Sequence, residues 1–243
     1  MDRKKPVKVL ITGGGSEEPI DTVRSVCNFS TGRTSALLAD FFYSGGFAVT
    51  LLTSVRGVKP QVAAEKDEGR FTLRTYRTYK ELSDALCEEC RAGAYDAVIH
   101  AAAVSDYSVA TVIVDGKEYA SGEISKVPSG LDLTIKMKRN PKLVEQIKKW
   151  CHDGSSDALL VAFKLTSKAD DGERRAAVQK LFSALPERSL NPDAVVSNDL
   201  SEITATAHPC RVYRPDMSVA FDVPDVPTLA SALYDLVLTH KGA

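Results

Sequence analysis

Charge of one sign is what this 243-residue chain lacks most plainly: 31 Lys and Arg stand against 32 Asp and Glu, a formal net charge of −1. That balance removes any global electrostatic case for nucleic acid or an anionic membrane as partner. No apolar run reaches the length of a membrane span. The N-terminus, MDRKKPVKVL, passes from charge straight into a strand pattern without an apolar h-region, which argues against secretion. The cysteines form no even set: Cys27, Cys87, Cys90, Cys151 and Cys210 are five. In a chain without secretory features they read as reduced thiols of a cytoplasmic protein. Cys87-Glu-Glu-Cys90 has redox-motif spacing, but it falls inside a helical pattern and has no second ligand pair, so no metal site is expected. There is no internal repeat, no low-complexity tract and no linker long enough for a second unit. A single domain over 1–243 is expected.

What is present is a sizeable core, with 44% hydrophobic residues, and an alternation of strand and helix patterns. Apolar runs at 7–12, 47–53 and 95–103 read as parallel strands covered on both faces. Alternation over 71–76 adds another strand. Helical spacing at 31–44 and 79–92 separates them, and Gly45-Gly46 ends the first of these helices. Further strands are expected at 158–165 and 193–199, helices from Asn140-Pro141 to about Cys151 and over 169–185, a hairpin at 210–213 and 217–221, and a last helix over 227–238. This predicts an α/β fold: a doubly wound parallel, Rossmann-like sheet. The alternation breaks at 111–137, where an Asp115-Gly116 turn signal and the alternating LDLTIKM predict an antiparallel arm.

The most informative stretch is GGGSEEPIDTVRSVCNFSTGR, from Gly13 to Arg33. It leaves the first strand and enters the first helix, with a small-residue turn at each end: Gly13-Gly14-Gly15-Ser16 and Ser30-Thr31-Gly32. Glycines bring backbone N–H groups close to a ligand, and a helix N-terminus adds free donors and a positive dipole end, both suited to phosphate. Arg24 and Asn28 lie between the turns. Ligands of such sheets bind beyond the strand C-termini. That rule gathers Ala101, Ala102, Ala103, Asp106, Phe163, Lys164 and Asn198 at the same rim. Asp106 can hydrogen-bond a ligand or hold Mg²⁺ through water, Phe163 can pack on a base, and Asn198 can read a base edge. His100 reads as a packed strand histidine, with His152, His208 and His240 at the surface.

Taken together and in order, VLITGGGSEEPID, VRSVCNFSTGR, AAAVSDYSVA, LTIKMKRNPKLV, LVAFKL and VVSND resemble the phosphopantothenoylcysteine synthetase family over about 7–200. No segment matches the flavin-dependent decarboxylase fused to many bacterial members, so the chain resembles the free-standing form. CNFSTGR and AFKL are closer to the ATP-using branch than to the CTP-using one. The resemblance implies a ligase of coenzyme A biosynthesis that joins 4′-phosphopantothenate to L-cysteine through an acyl-nucleotide, with ATP (or CTP) as co-substrate and Mg²⁺. It implies that Gly14, Ser30, Gly32, Phe163 and Asn198 hold the nucleotide. Asn28, Ala102, Ala103 and Asp106 would hold phosphopantothenate, with Asn28 also donating to the acyl oxygen. Arg24 would reach the phosphate of that substrate from the neighbouring subunit of a homodimer built partly through the arm.

Two positions depart from the family pattern. Ser35 stands where many members carry a third glycine. Glu123 stands where the family places a lysine in the arm, and Lys126, rather than Lys117, is the expected substitute. Arg174, Arg175 and Lys180 are further candidates for the triphosphate. Two rival readings remain. A short-chain dehydrogenase would need glycines where Glu17 and Pro19 stand, and its YxxxK motif, matched here by Tyr76 to Lys80, should follow rather than precede the AAAV strand. A nucleotide-binding homologue with impaired chemistry is the non-enzymatic alternative.

Overall fold

The computed structural model describes residues 5–64, 69–204 and 206–242, so the tip of the polar connection after the second predicted strand lies outside the described residues. In chain order the elements are β1 (Lys8–Gly13), β2 (Glu17–Pro19), β3 (Ser25–Cys27), α1 (Arg33–Ser44), β4 (Ala48–Ser54), β5 (Phe71–Tyr76), α2 (Tyr79–Ala92), β6 (Ala97–His100) and β7 (Tyr107–Val114). They continue with β8 (Lys117–Ala120), β9 (Leu133–Arg139), α3 (Val144–Asp153), β10 (Leu159–Thr166), α4 (Asp171–Phe182), β11 (Ala194–Asp199), β12 (Cys210–Tyr213), β13 (Val219–Val223) and α5 (Val226–His240).

An eight-stranded sheet runs in the order β13-β12-β11-β10-β6-β1-β4-β5. All neighbours from β5 to β11 are parallel, and β12 and β13 add an antiparallel edge. Alternation along β1 explains why both faces are covered. Val9 and Ile11 point into a core shared with Leu38 and Phe42 of α1 and Leu229, Leu233 and Val237 of α5. Leu10 points the other way, to Leu82 and Leu86 of α2 and Ile147 of α3. Each of these buried side chains contributes about 1.5–3 kcal/mol relative to exposure, which is why apolar runs without polar interruptions form the centre of the sheet.

The arm is a separate three-stranded sheet, β8-β7-β9, turned at Asp115-Gly116 with φ of 48° and 79°. Its own small core is Val109, Val112, Val114 and Val127, joined by Ile20 from the excursion after β1. Two expectations need correcting. Asn140-Pro141 does not start the helix, which opens at Val144. Asn140 is instead buried and fastens the arm to the sheet, donating to the Ser105 carbonyl at 3.1 Å and accepting from Ser108 Oγ at 3.0 Å. The excursion also holds an antiparallel pair, β2 with β3, that no sequence pattern announced.

Candidate active site

The sheet order changes direction at β1, with β4 on one side and β6 on the other. At such a switch point the loops leaving adjacent strands part, and a crevice opens at their C-terminal ends. Here the two loops are stitched together: Ala103 N–H donates to the Gly14 carbonyl at 2.9 Å, and Ser16 N–H to the Ala103 carbonyl at 3.2 Å. Tyr76 supports them from below, its buried hydroxyl donating to the Gly13 carbonyl at 2.8 Å. Burial pushes that phenol well above its ordinary range. Tyr76 is thus a strut, and Lys80 pairs with Asp84 on the surface, so the YxxxK spacing carries no dehydrogenase chemistry.

Two clefts flank this rim. The first, of about 620 Å³, is lined at one end by Gly14, Ser30, Thr31, Gly32, Arg33 and Thr34, and at the other by Phe163, Leu165, Asn198, Leu200, His208 and Val226. The second, of about 580 Å³, is lined by Asn28, His100, Ala102, Asp106, Lys142, Lys164 and Lys180 among others. Ala103, Phe163 and Leu165 belong to both, so a shared wall separates them. All five residues expected at the nucleotide line the first cleft. Asn28, Ala102 and Asp106 line the second, and Ala103 lines both.

The Gly32 end of the first cleft has the features that anions require. Gly32 caps α1 with φ 71°, it has no side chain to occupy the amides, and no acidic residue stands in the first turn. The departure at Ser35 is absorbed locally. Its hydroxyl is buried and donates to the Gly32 carbonyl at 2.8 Å. It fits only because Gly13 has no side chain, since a Cβ there would meet Ser35 Oγ at 1.7 Å. The serine therefore packs back on the strand rather than into the ligand's path.

In the second cleft, Asn28 donates one amide hydrogen to the Val104 carbonyl at 3.0 Å and keeps the other. Asp106 is neutralised by Lys142 at 2.5 Å. His100 is buried, bonded through Nδ1 to Thr12 Oγ1 at 2.8 Å, and desolvation lowers its pKa to about 4. It is a neutral packed histidine, as expected, whose edge touches the cleft. The described residues form no group of three or more His, Cys, Asp or Glu side chains able to hold a metal, and Asp106 is committed to Lys142. A protein cage for Mg²⁺ therefore does not fit these residues.

Other expected residues are not brought to the clefts. Arg24 sits on the turn between β2 and β3, paired with Asp21 at 3.1 Å and donating to the Val127 carbonyl at 3.2 Å. Lys126, beside it in the arm, is exposed and lines neither cleft. Glu123 is taken up by its own turn, accepting from Ala120 N–H at 2.7 Å, and Lys117 lies 5.1 Å over the Tyr119 ring. Geometry separates the three cations of α4. Arg174 is bound to Glu202 and the Ala169 carbonyl, and Arg175 lies over Tyr213, whereas Lys180 lines the second cleft.

Sequence reasoning missed Phe29, which is 98% exposed at the mouth of the first cleft. It also missed Arg33 and Lys142, and it placed His208 on the surface. His208 is half-buried, lines the first cleft and bonds to Asn198 at 2.9 Å. Arg33 and Phe29 adjoin the phosphate turn and could have been found there; nothing local to His208 marks it. Cys90 is fully buried against α3, while Cys87 on the same helix is half-buried.

Comparison with known proteins finds a matching family and similar folds. The family described as the DNA/pantothenate metabolism flavoprotein C-terminal domain matches residues 5–236. The coenzyme A biosynthesis bifunctional protein CoaBC of Methanocaldococcus jannaschii is 29% identical over 202 residues, 82% of this chain and 42% of that protein. The chain thus spans less than half the length of such curated relatives. A crystal structure of the DNA/pantothenate metabolism flavoprotein from Streptococcus pneumoniae superposes with a TM-score of 0.80 at 23% identity, covering 96% of this chain and 99% of that one. A Cab2 mutant in complex with phosphopantothenate-cysteine gives 0.70 at 17% identity, covering 98% and 89%. At those identities the likeness speaks for the fold.

Proposed function

As this chain belongs to the DNA/pantothenate metabolism flavoprotein C-terminal domain family, we propose that it is a phosphopantothenate–cysteine ligase acting through an acyl-nucleotide. One observation carries the reading: a cleft ending in the glycine-bearing turns Gly14 and Ser30–Gly32 and a lysine-bearing cleft share a wall made by Ala103, Phe163 and Leu165. Two substrates lying in them would bring a carboxylate and an α-phosphorus together at that wall. Relatives described as coenzyme A biosynthesis proteins support the pathway, and the Cab2 mutant in complex with phosphopantothenate-cysteine supports the substrates.

In the proposed reaction a carboxylate oxygen of 4′-phosphopantothenate attacks the α-phosphorus, the bond to the β-phosphate oxygen breaks, and pyrophosphate leaves. The cysteine amine then attacks the acyl carbon, and the nucleoside monophosphate departs. Backbone amides of Gly14, Ser30 and Gly32 cradle the triphosphate with Arg33 beside them. Mg²⁺ belongs to this scheme as the counter-ion of the triphosphate, which supplies its oxygens. Asn28 directs its free amide hydrogen to the acyl oxygen, where charge builds during the second attack. Lys164 and Lys180 supply positive charge from one chain. Arg24 and Lys126 act on the clefts of a second copy, because within one chain they line neither. A homodimer with ATP or CTP as co-substrate, in the cytoplasm, completes the proposal. Among the described residues no helix is long and apolar enough to cross a membrane.

The test is product release with each nucleotide in turn. Pyrophosphate release is expected to require phosphopantothenate, and monophosphate release to require cysteine as well, with ATP preferred. Turnover with CTP alone would overturn the ATP assignment. No nucleotide-dependent product in the presence of both substrates would overturn the ligase reading.

A further inference from the structure

Asn198 and His208 face each other across the base end of the first cleft, and both line it. The Asn198 Nδ2 lies 2.9 Å from His208 Nε2. With the amide nitrogen on the His208 side, the bond forms in the tautomer whose proton sits on Nδ1, leaving Nε2 to accept. The arrangement is held from both sides. Asn198 is a β11 residue paired with Leu165 of β10, and its carbonyl accepts from Thr166 Oγ1 at 3.3 Å. His208 is fixed by its own N–H to the Pro224 carbonyl at 3.0 Å and by Cys210 Sγ on its carbonyl at 3.4 Å. Among the described residues Asn198 Oδ1 receives no hydrogen bond, and it is not a buried orphan; it stands open to the cleft.

We propose that His208 is a positioning residue for nucleobase choice: it fixes the Asn198 carboxamide with Oδ1 and the second Nδ2 hydrogen toward the ligand. The inference rests on the nucleotide reading of this cleft. An amide edge so oriented accepts from an exocyclic amine and donates to the adjacent ring nitrogen. Adenine offers that pair, as does cytosine through its amine and N3. Guanine and uracil present a carbonyl where the amine would be, and two acceptor oxygens then face one another. Rotating the amide by half a turn would suit guanine and uracil instead, and with the imidazole proton on Nδ1 the bond to His208 opposes that rotation. Burial depresses the His208 pKa, which keeps the ring neutral and able to accept.

The experiment is direct titration of the 243-residue chain with ATP, CTP, GTP and UTP separately, together with steady-state kinetics, for the wild type, His208→Ala and His208→Glu. The quantity read is the ratio of affinities for amino and carbonyl bases, in which any uniform loss of cleft order or change of charge cancels. The wild type is expected to favour ATP and CTP over GTP and UTP by about tenfold or more, the order of one net hydrogen bond. His208→Ala should bring the ratio within about twofold of unity, through a higher KM for ATP and CTP with kcat little changed. His208→Glu, whose carboxylate can only accept, should retain the preference. A ratio unchanged in His208→Ala, a ratio lost in His208→Glu, or a wild type that binds all four equally would overturn the inference. If none of the four binds, the nucleotide reading falls and this inference with it.

Discussion

Asn28 illustrates how much one side chain can be asked to do in the second cleft. It follows the exposed Cys27 and precedes Phe29, and its amide is steadied by the Val104 carbonyl. In the proposed reaction this steadied donor meets the charge developing on the acyl oxygen, stabilising the transition state without reorganising. Asn28→Ala should therefore leave the fold intact and lower turnover by about 10²–10³. The loss should fall on the cysteine-dependent half, so that acyl-nucleotide accumulates in a rapid-quench experiment. A variant turning over at the wild-type rate would remove Asn28 from the mechanism. Residues proposed for this chemistry could be named from the sequence because they lie close together in it: the glycines and serine of the two turns, with Asn28 between them. His208 was not legible. Its proposed role depends on Asn198 and on the antiparallel edge that carries it past the end of β11, a tertiary fact with no local signature. Ser35 gave half its meaning, since the residue showed the departure from glycine but only the packing against Gly13 shows where the hydroxyl goes.

At the scale of elements, the parallel strands were readable because burial on both faces demands uninterrupted apolar runs. The β2–β3 pair was not, because its buried residues are acidic. Glu17 is satisfied by Arg56 at 2.9 Å and Arg77 at 3.2 Å, and Glu18 by Tyr79 N–H at 2.9 Å, partners that only the fold brings near. The same logic governs the end of β11. Asp199 is buried and accepts from Ser201 Oγ and N–H, Thr166 Oγ1, and the Lys168 and Ala169 amides. These bonds, the Ser201 hydroxyl foremost, hold its carboxyl well below the ordinary carboxylate range. A depressed folded-state pKa means that the contribution is complete above the unfolded value, about pH 4, and is lost as pH falls below it. Asp199→Asn should therefore be less stable than the wild type at pH 7, and the two should converge as denaturant titrations are taken from pH 5 toward pH 2. Parallel curves over that range would show that this carboxylate does not couple folding to pH.

For the whole molecule, the question is why the chain spends a separate three-stranded arm on residues that touch neither of its clefts. The arm is fastened to the excursion after β1. Asp21 accepts from Val127 N–H at 2.9 Å, Arg24 donates to the Val127 carbonyl, Thr22 bonds to the Ser125 carbonyl through Oγ1, and Ile20 enters the arm core. Arg24 and Lys126 are thereby carried as one unit, away from the site their residue types suit. A two-fold dimer reconciles these facts, because such symmetry lets each arm unit serve the other chain's clefts and be served in return. If that arrangement holds, Arg24→Ala and Asn28→Ala should each be nearly inactive alone. After subunit exchange, the mixed dimer would hold one site with both defects and one with none. Random pairing of equal amounts makes half the dimers mixed, so activity should recover to roughly a quarter of wild type. Lys126→Ala mixed with Asn28→Ala should recover in the same way, since Lys126 belongs to the same unit as Arg24. The measurement is pyrophosphate release before and after exchange, with mixing verified by differently tagged chains. Were each site built from one chain, every site in the mixed dimer would carry a single defect, and no activity would return.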